Sequence, residues 1–168
     1  MKVILALDKS EFSDTAMEAV AGRSWPPESE ITIVHVVDLD IEIHDGKETE
    51  DLMNLDPYKK GIVDMSKEFI DTRVAELAER LPECKVKGTV LQGRPADAII
   101  FVVDRDRPDL VVLGSHGRTG LPRLILGSVA EAVLHQATCS VEIVKHRKPG
   151  SKDDREEKES AQGYVFRG

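Results

Sequence analysis

Short runs of β-branched and aliphatic residues alternate along this chain with longer stretches at helical period, and that alternation leaves few architectures open. A strand, a helix and a further strand form the unit of a parallel sheet with crossover connections. Five runs read as strands, at residues 3–7, 31–37, 85–91, 110–114 and 141–145, and four of them are nearly continuous in Val, Ile and Leu. Strands covered on both faces read that way, whereas half-exposed antiparallel strands alternate polar with apolar residues. The expected fold is α/β, a single open doubly wound parallel five-stranded sheet with helices on both faces.

The helical stretches lie at 13–22, 57–81, 95–106 and 128–136. In the longest, Ile62, Met65, Phe69, Ile70, Val74, Leu77 and Leu81 recur at steps of three and four, while Lys67, Glu68, Arg73 and Glu76 fill the other face, so the apolar stripe is expected in the core. Pro95 suits a first helical turn, where its missing N–H is no loss. The acidic stretch 38–56 lacks clear periodicity and reads as a solvated connection. From Lys148 onward Lys, Asp, Glu, Ser and Gly dominate and cannot build a core, so the chain divides into a domain over 1–147 and a charged, flexible tail over 148–168. Tyr164, Val165 and Phe166 near the end are the tail's only docking candidates.

Composition then removes classes of function. A formal net charge of −8 opposes nonspecific binding to nucleic acid or anionic lipid, both of which need a cationic surface. The apolar run at 3–7 stops at Asp8, too short for a signal-peptide core or a membrane span, so a cytoplasmic location is expected. Cys84 and Cys139 are isolated in sequence and read as small core-filling thiols, and no structural metal is expected.

The segment that carries chemistry is Gly114-Ser115-His116-Gly117, nine intervening residues, and Gly127-Ser128. Such a spacing arises by chance in roughly one chain in two hundred of this length. Gly114 falls at the carboxyl end of a predicted strand and Ser128 at the start of a predicted helix, which is where a phosphate site belongs. Glycines let backbone N–H groups approach phosphate oxygens and can adopt positive φ. Ser128 with Glu131 also matches a capping box. The plainer alternative makes the glycines a turn with packing and Ser128 a simple cap. His116 is either a phosphate contact or an exposed turn residue, and Arg118 and Arg123 are expected to be solvated. Asp8 ends the first strand; in strand order 3-2-1-4-5 the ligand crevice lies between strands one and four, so Asp8 and Gly114 would flank it. Its carboxylate could accept ribose hydroxyls, help hold Mg²⁺, or cap a helix.

These residues resemble the universal stress protein family, in the subclass whose members bind ATP, over about residues 1 to 146. The resemblance rests on Ala6, Asp8 and Ser10, on His35-Val36-Val37, on Gly93-Arg94-Pro95-Ala96, on the glycine motif and on Val141-Glu142-Ile143-Val144. It implies that Asp8 and the backbone at Val36 contact the nucleoside, with Gly114, Gly117, Gly127 and Ser128 around the phosphates. Lys9 replaces a glycine often found there, and Ser140 a frequent proline. The expected function is an ATP-binding stress-response protein that acts as a regulatory or interaction module. The alternative is a slow ATP-hydrolysing or phosphoryl-transferring enzyme, against which stands the absence of a Gly-x4-Gly-Lys-Ser/Thr loop. The last strand, from Val141 to Val144, would leave an open sheet edge, and a homodimer through it is expected.

Overall fold

A computed structural model describes residues 1–38, 57–117 and 126–146. All but the first residue of the acidic connection, Arg118, Arg123, and the tail with Tyr164, Val165 and Phe166 lie outside the described residues.

The elements run β1 (Lys2–Ala6), α1 (Glu11–Ala21), β2 (Glu30–Val37), α2 (Pro57–Arg80), β3 (Lys85–Gln92), α3 (Pro95–Asp106), β4 (Leu110–Gly114), α4 (Ser128–Gln136) and β5 (Ser140–Val144). All strand pairs are parallel, and the sheet order is β3-β2-β1-β4-β5. The architecture is the one the alternation implies. The central strands are the most apolar because they are covered twice: Val3, Leu5, Ile31, Ile33 and Val112 pack under α1 and α2. Ile4, Val34, Val111 and Leu113 pack under α3 and α4 on the opposite face. Leu5, Ile31, Ile33, Val111 and Val112 are completely buried, each removing apolar area worth about 1.5–3 kcal/mol from water. Cys84 sits at the margin of the first cluster and Cys139 at that of the second, and burial raises both thiol pKa values.

Local expectations fail in instructive places. In α2 the buried face is Val63, Ser66, Ile70 and Leu77, whereas Met65, expected in the core, is 66% exposed. The stripe was in phase from Ile70 onward and one residue out of phase before it. Ile62 and Phe69 lie at its half-buried edge. The first helix starts at Glu11 rather than Ser13, because Ser10 is the N-cap and its side chain accepts from the Ser13 N–H. The first strand ends at Ala6, one residue early, although the Leu7 N–H still donates to Val34 O at 2.9 Å.

β3 is the strand that alternates. Val86 and Val90 face the first cluster, and Gly88 lets α2 lie so close that a Cβ there would stand 2.1 Å from Ile70 Cγ2. Lys85 and Lys87 point to the other face and are exposed.

Candidate nucleotide site at the carboxyl ends of β1 and β4

β1 and β4 are neighbours whose outer connections run in opposite directions across the sheet, so their carboxyl ends bound the switch-point crevice of this fold. Three segments meet there: the turn from β1 into α1, the turn after β4, and the start of α4.

The first turn is built by Asp8 and Ser10. One oxygen of Asp8, Oδ1, accepts from the Ser10 N–H at 3.1 Å and from the Ser10 hydroxyl at 2.5 Å. Ser10 in turn caps α1, so Asp8 orders the helix start at one remove. The other oxygen, Oδ2, faces Gly117: a Cβ on that glycine would lie 2.8 Å from it. One oxygen of Asp8 thus serves the start of α1 while the other faces the loop glycine. Between Asp8 and Ser10, Lys9 has φ 68°. A side chain in this left-handed region is disfavoured, and the Lys9 ammonium rests 5.2 Å from the Phe69 ring centroid.

The second and third segments are tied together. Ser115 is buried; its N–H donates to Val144 O at 2.9 Å and its C=O accepts from Gly127 N–H at 2.9 Å. The loop that leaves β4 thus returns to the residue that opens α4. The loop glycines divide by role. A Cβ on Gly114 would meet the backbone and Cβ of Phe12 at 2.8 Å, so this glycine lets α1 approach β4. Gly127 is packed against His116 Cα and Ser115 O, with a Cβ at 3.2 and 3.3 Å. None of Gly114, Gly117 and Gly127 uses the positive φ open to glycine; that geometry falls on Lys9 and on Gly93, φ 121°.

The capping box is not formed. Gly127, with φ −63° and ψ 147°, occupies the N-cap position and supplies no side-chain bond, while Ser128 is already helical and exposed. A cap residue needs extended backbone, which Gly127 provides and Ser128 does not. Among the described residues, the N–H groups of Ser128, Val129 and Ala130 consequently have neither an intrahelical acceptor nor a side-chain cap. The positive end of the helix dipole lies at this end of α4, next to His116 and Ser115.

His116 is half-buried rather than an exposed turn residue. Its ring stacks on Phe12 with centroids 5.0 Å apart, and Nδ1 lies 3.0 Å from Ser115 Oγ. Nε2 is buried and has no hydrogen-bond partner among the described residues. A buried polar atom in that condition loses about 1–3 kcal/mol. If the Ser115 hydroxyl donates to Nδ1, Nε2 carries the proton and is a donor.

Val36 lies on β2, paired with Leu91, with its side chain against the α3 face, so only its backbone is available to a ligand in this region. Phe12, which sequence reasoning passed over, and His35, which it named only within the family resemblance, hold the site in shape. Phe12 packs on Gly114, on His116 and, edge to face at 5.8 Å, on His146. His35, 7% exposed, places Nδ1 2.7 Å from Leu7 O and its ring against Phe69, locking the ends of β1 and β2 together. No local periodicity distinguishes either from an ordinary core residue.

A site of this kind offers backbone donors, one buried ring nitrogen and one carboxylate: the donors suit phosphate oxygens and the carboxylate suits hydroxyls or a cation. Known proteins share the arrangement's framework. The model of the universal stress protein family matches residues 1–145. Universal stress protein MJ0531 of Methanocaldococcus jannaschii is 30% identical over 149 residues, 88% of this chain and 83% of the relative. The solved structure of MJ0577, a universal stress protein of the same organism, aligns with a TM-score of 0.72 at 26% identity, covering 88% of this chain and 96% of that one. A universal stress protein family member of Arabidopsis thaliana with AMP bound aligns with a TM-score of 0.56 at 21% identity over 92% and 97% of the two chains, a likeness of fold.

Proposed function

The chain belongs to the universal stress protein family, and from that membership we propose that it binds ATP in the crevice between β1 and β4 and acts as a nucleotide-dependent regulatory or interaction module. The observation that carries this reading is the close approach of Asp8 Oδ2 to Gly117, which only a residue without a side chain allows and which brings the carboxylate against the loop backbone. The Arabidopsis neighbour is a protein of this fold with AMP bound.

In the proposed complex the N–H groups of Gly117, Ser128, Val129 and Ala130 surround the phosphates, and His116 Nε2 donates to a phosphate oxygen. Each such bond to a charged acceptor contributes about 1.5–3 kcal/mol, so a few of them offset the repulsive field of an acidic chain. Asp8 Oδ2 receives a ribose hydroxyl or joins Mg²⁺, and the backbone at Val36 meets the base. Gly114 acts one step back, by allowing α1 to seat Phe12 behind His116.

We assign the protein to the cytoplasm as a homodimer joined along β5, with residues 1–147 as the nucleotide-binding domain and 148–168 as a tail. No helix among the described residues is long and apolar enough to cross a membrane. Native mass spectrometry of the purified protein tests the reading. It should retain a nucleotide, or take one up when ATP is added, on a species of twice the chain mass. A spectrum that stays ligand-free at saturating ATP and Mg²⁺ would remove the proposal.

A further inference from the structure

Parallel sheets are covered by helices on both faces, yet no helix among the described residues covers one quadrant of this sheet. At the amino-terminal ends of β1, β2 and β3, on the side that α3 covers higher up, an open depression of about 340 Å³ remains. Its floor is the row formed by Ile4, Thr32 and Lys87 in register, with Lys2 and Glu30 below it. Its wall is the last turn of α3, Arg105 and Asp106, and then Pro108. It lies at the opposite end of the sheet from Asp8 and Gly117.

The lining carries Lys2, Lys87 and Arg105 against Glu30 and Asp106, a net positive pocket in a chain of net charge −8. Its cations are not equally engaged. Arg105 spends its fork on Asp106, with Nε 2.8 Å from Oδ1 and Nη2 3.1 Å from Oδ2. Among the described residues, Lys2 Nζ donates to the Asp106 carbonyl alone, at 3.4 Å. Lys87 makes no hydrogen bond or ion pair among the described residues. The Asp106 carboxyl is held below its ordinary value first by the bond from Arg105 and further by the charges of Arg105, Lys87 and Lys2. Thr32, half-buried, lies on the strand between those of Lys2 and Lys87 and lines the depression.

We propose that this depression is a second ligand site, for a small polyanion bearing phosphate or carboxylate groups, independent of the nucleotide crevice. Lys2 and Lys87 supply the charge and Thr32 a hydrogen bond, while Asp106 fixes Arg105 as the wall. Lysines act as point charges and do not distinguish tetrahedral from planar oxyanions, so the geometry assigns the class and the choice of anion decides within it. Its volume is within the range of small-molecule pockets, about 300–1,000 Å³.

The probes are pyrophosphate and citrate, titrated separately into ¹⁵N-labelled protein in the presence of saturating ATP and followed by amide shifts. At least one should move the resonances of Thr32, Lys87 and Arg105 saturably, and the tighter of the two names the anion class. Lys87→Gln should weaken that binding about tenfold or more, while Lys67→Gln, on the exposed face of α2, leaves it unchanged. Shifts that stay linear to the highest concentration for both anions, or an affinity unaltered in Lys87→Gln, overturn the proposal. Shifts confined to Gly117 and Ser128 also overturn it, and because the two sets of amides are far apart, a failure of ATP binding is read separately.

Discussion

The Asp8 carboxylate fills the space beside Gly117 so closely that a Cβ on the glycine would lie 2.8 Å from Oδ2. Real Cβ atoms do not approach an oxygen that closely, so any side chain at residue 117 must displace Asp8, the loop or both. Gly117→Val is therefore expected to break the backbone contacts to phosphate first, with any shift of Asp8 following from that. Losing two hydrogen bonds to charged oxygens costs about 3–6 kcal/mol, a hundredfold or more in affinity. Calorimetric titration with ATP, with circular dichroism to show that the variant is folded, measures it. A folded Gly117→Val that binds like the wild type reduces the loop to a turn.

Asp8→Ala separates the two oxygens' duties. Removing Oδ1 takes a bond from the cap residue Ser10, a stability loss of about 1 kcal/mol. Removing Oδ2 takes the contact to ribose or Mg²⁺. Adenosine and ATP should lose affinity in different ratio from Gly117→Val, in which the phosphate contacts fail first; identical ratios for the two variants would refute the division of roles. Turnover is expected to stay far below about 1 per second, the low end of ordinary enzyme rates, in wild type and variant alike, as phosphate release with Mg²⁺ would register.

The architecture was legible because it follows from what the strands must bury. Val3, Leu5, Ile33, Val111 and Val112 could only belong to strands covered twice, and order 3-2-1-4-5 then put Asp8 beside the glycine motif. What was not legible depends on groups distant in sequence. Met65 is on the right helix but one position out of phase with the face that Val63 and Ser66 bury, because the helix axis is set by β3 through Gly88. Ser128 satisfies the spacing of a capping box, yet Ser115 O draws the Gly127 N–H and fixes Gly127 as the cap. Phe12 looks like any helix residue until Gly114 and His116 are seen on either side of it.

Lys9 carries a backbone penalty that glycine would not. At φ 68° a lysine is strained, and its return is one cation–π contact with Phe69, which Arg73 already touches from 5.3 Å. Strain of this type costs about 1 kcal/mol or more, and an exposed cation–π contact returns about 0.5–1 kcal/mol. Lys9→Gly is expected to be neutral to slightly stabilising, by up to about 0.5 kcal/mol, in urea denaturation. A loss of more than about 1 kcal/mol would mean that Lys9 holds the turn in a way the cation–π contact does not account for.

Acid should unpick the edge of the sheet at Glu142. Arg23 holds this carboxylate bidentately at 2.6 and 2.8 Å, and that hydrogen bond first, with the charge, lowers its pKa from the ordinary 4.5. A depressed folded pKa contributes stability that is complete above about pH 5 and is lost as the pH falls through the lowered value. Both side chains are about a third exposed, so the contribution is about 0.5–1 kcal/mol. Glu142→Gln should lose that amount at pH 7 and show a correspondingly flatter stability profile between about pH 5 and 3. Equal slopes for the two proteins would assign acid sensitivity elsewhere.

β5 pairs with β4 on one side, and Ser115 N–H donating to Val144 O fixes which residues face inward. Backbone groups alternate along a strand, so Val144 and Glu142 face β4 while Ile143 and Val141 direct their N–H and C=O outward. This outward row has no backbone partner among the described residues; a row of this kind invites a second copy, and two such edges meeting about a two-fold axis would form the proposed dimer. Ile143→Pro removes an outward N–H without touching the β4 ladder, a substitution that edge strands accept. The expected result is a folded monomer that still binds ATP, against a wild-type dimer at micromolar concentration, by sedimentation equilibrium. A monomeric wild type would count against the dimer altogether. A dimeric Ile143→Pro would move the interface off this edge, since pairing through β5 requires the Ile143 N–H to have a partner in the other chain.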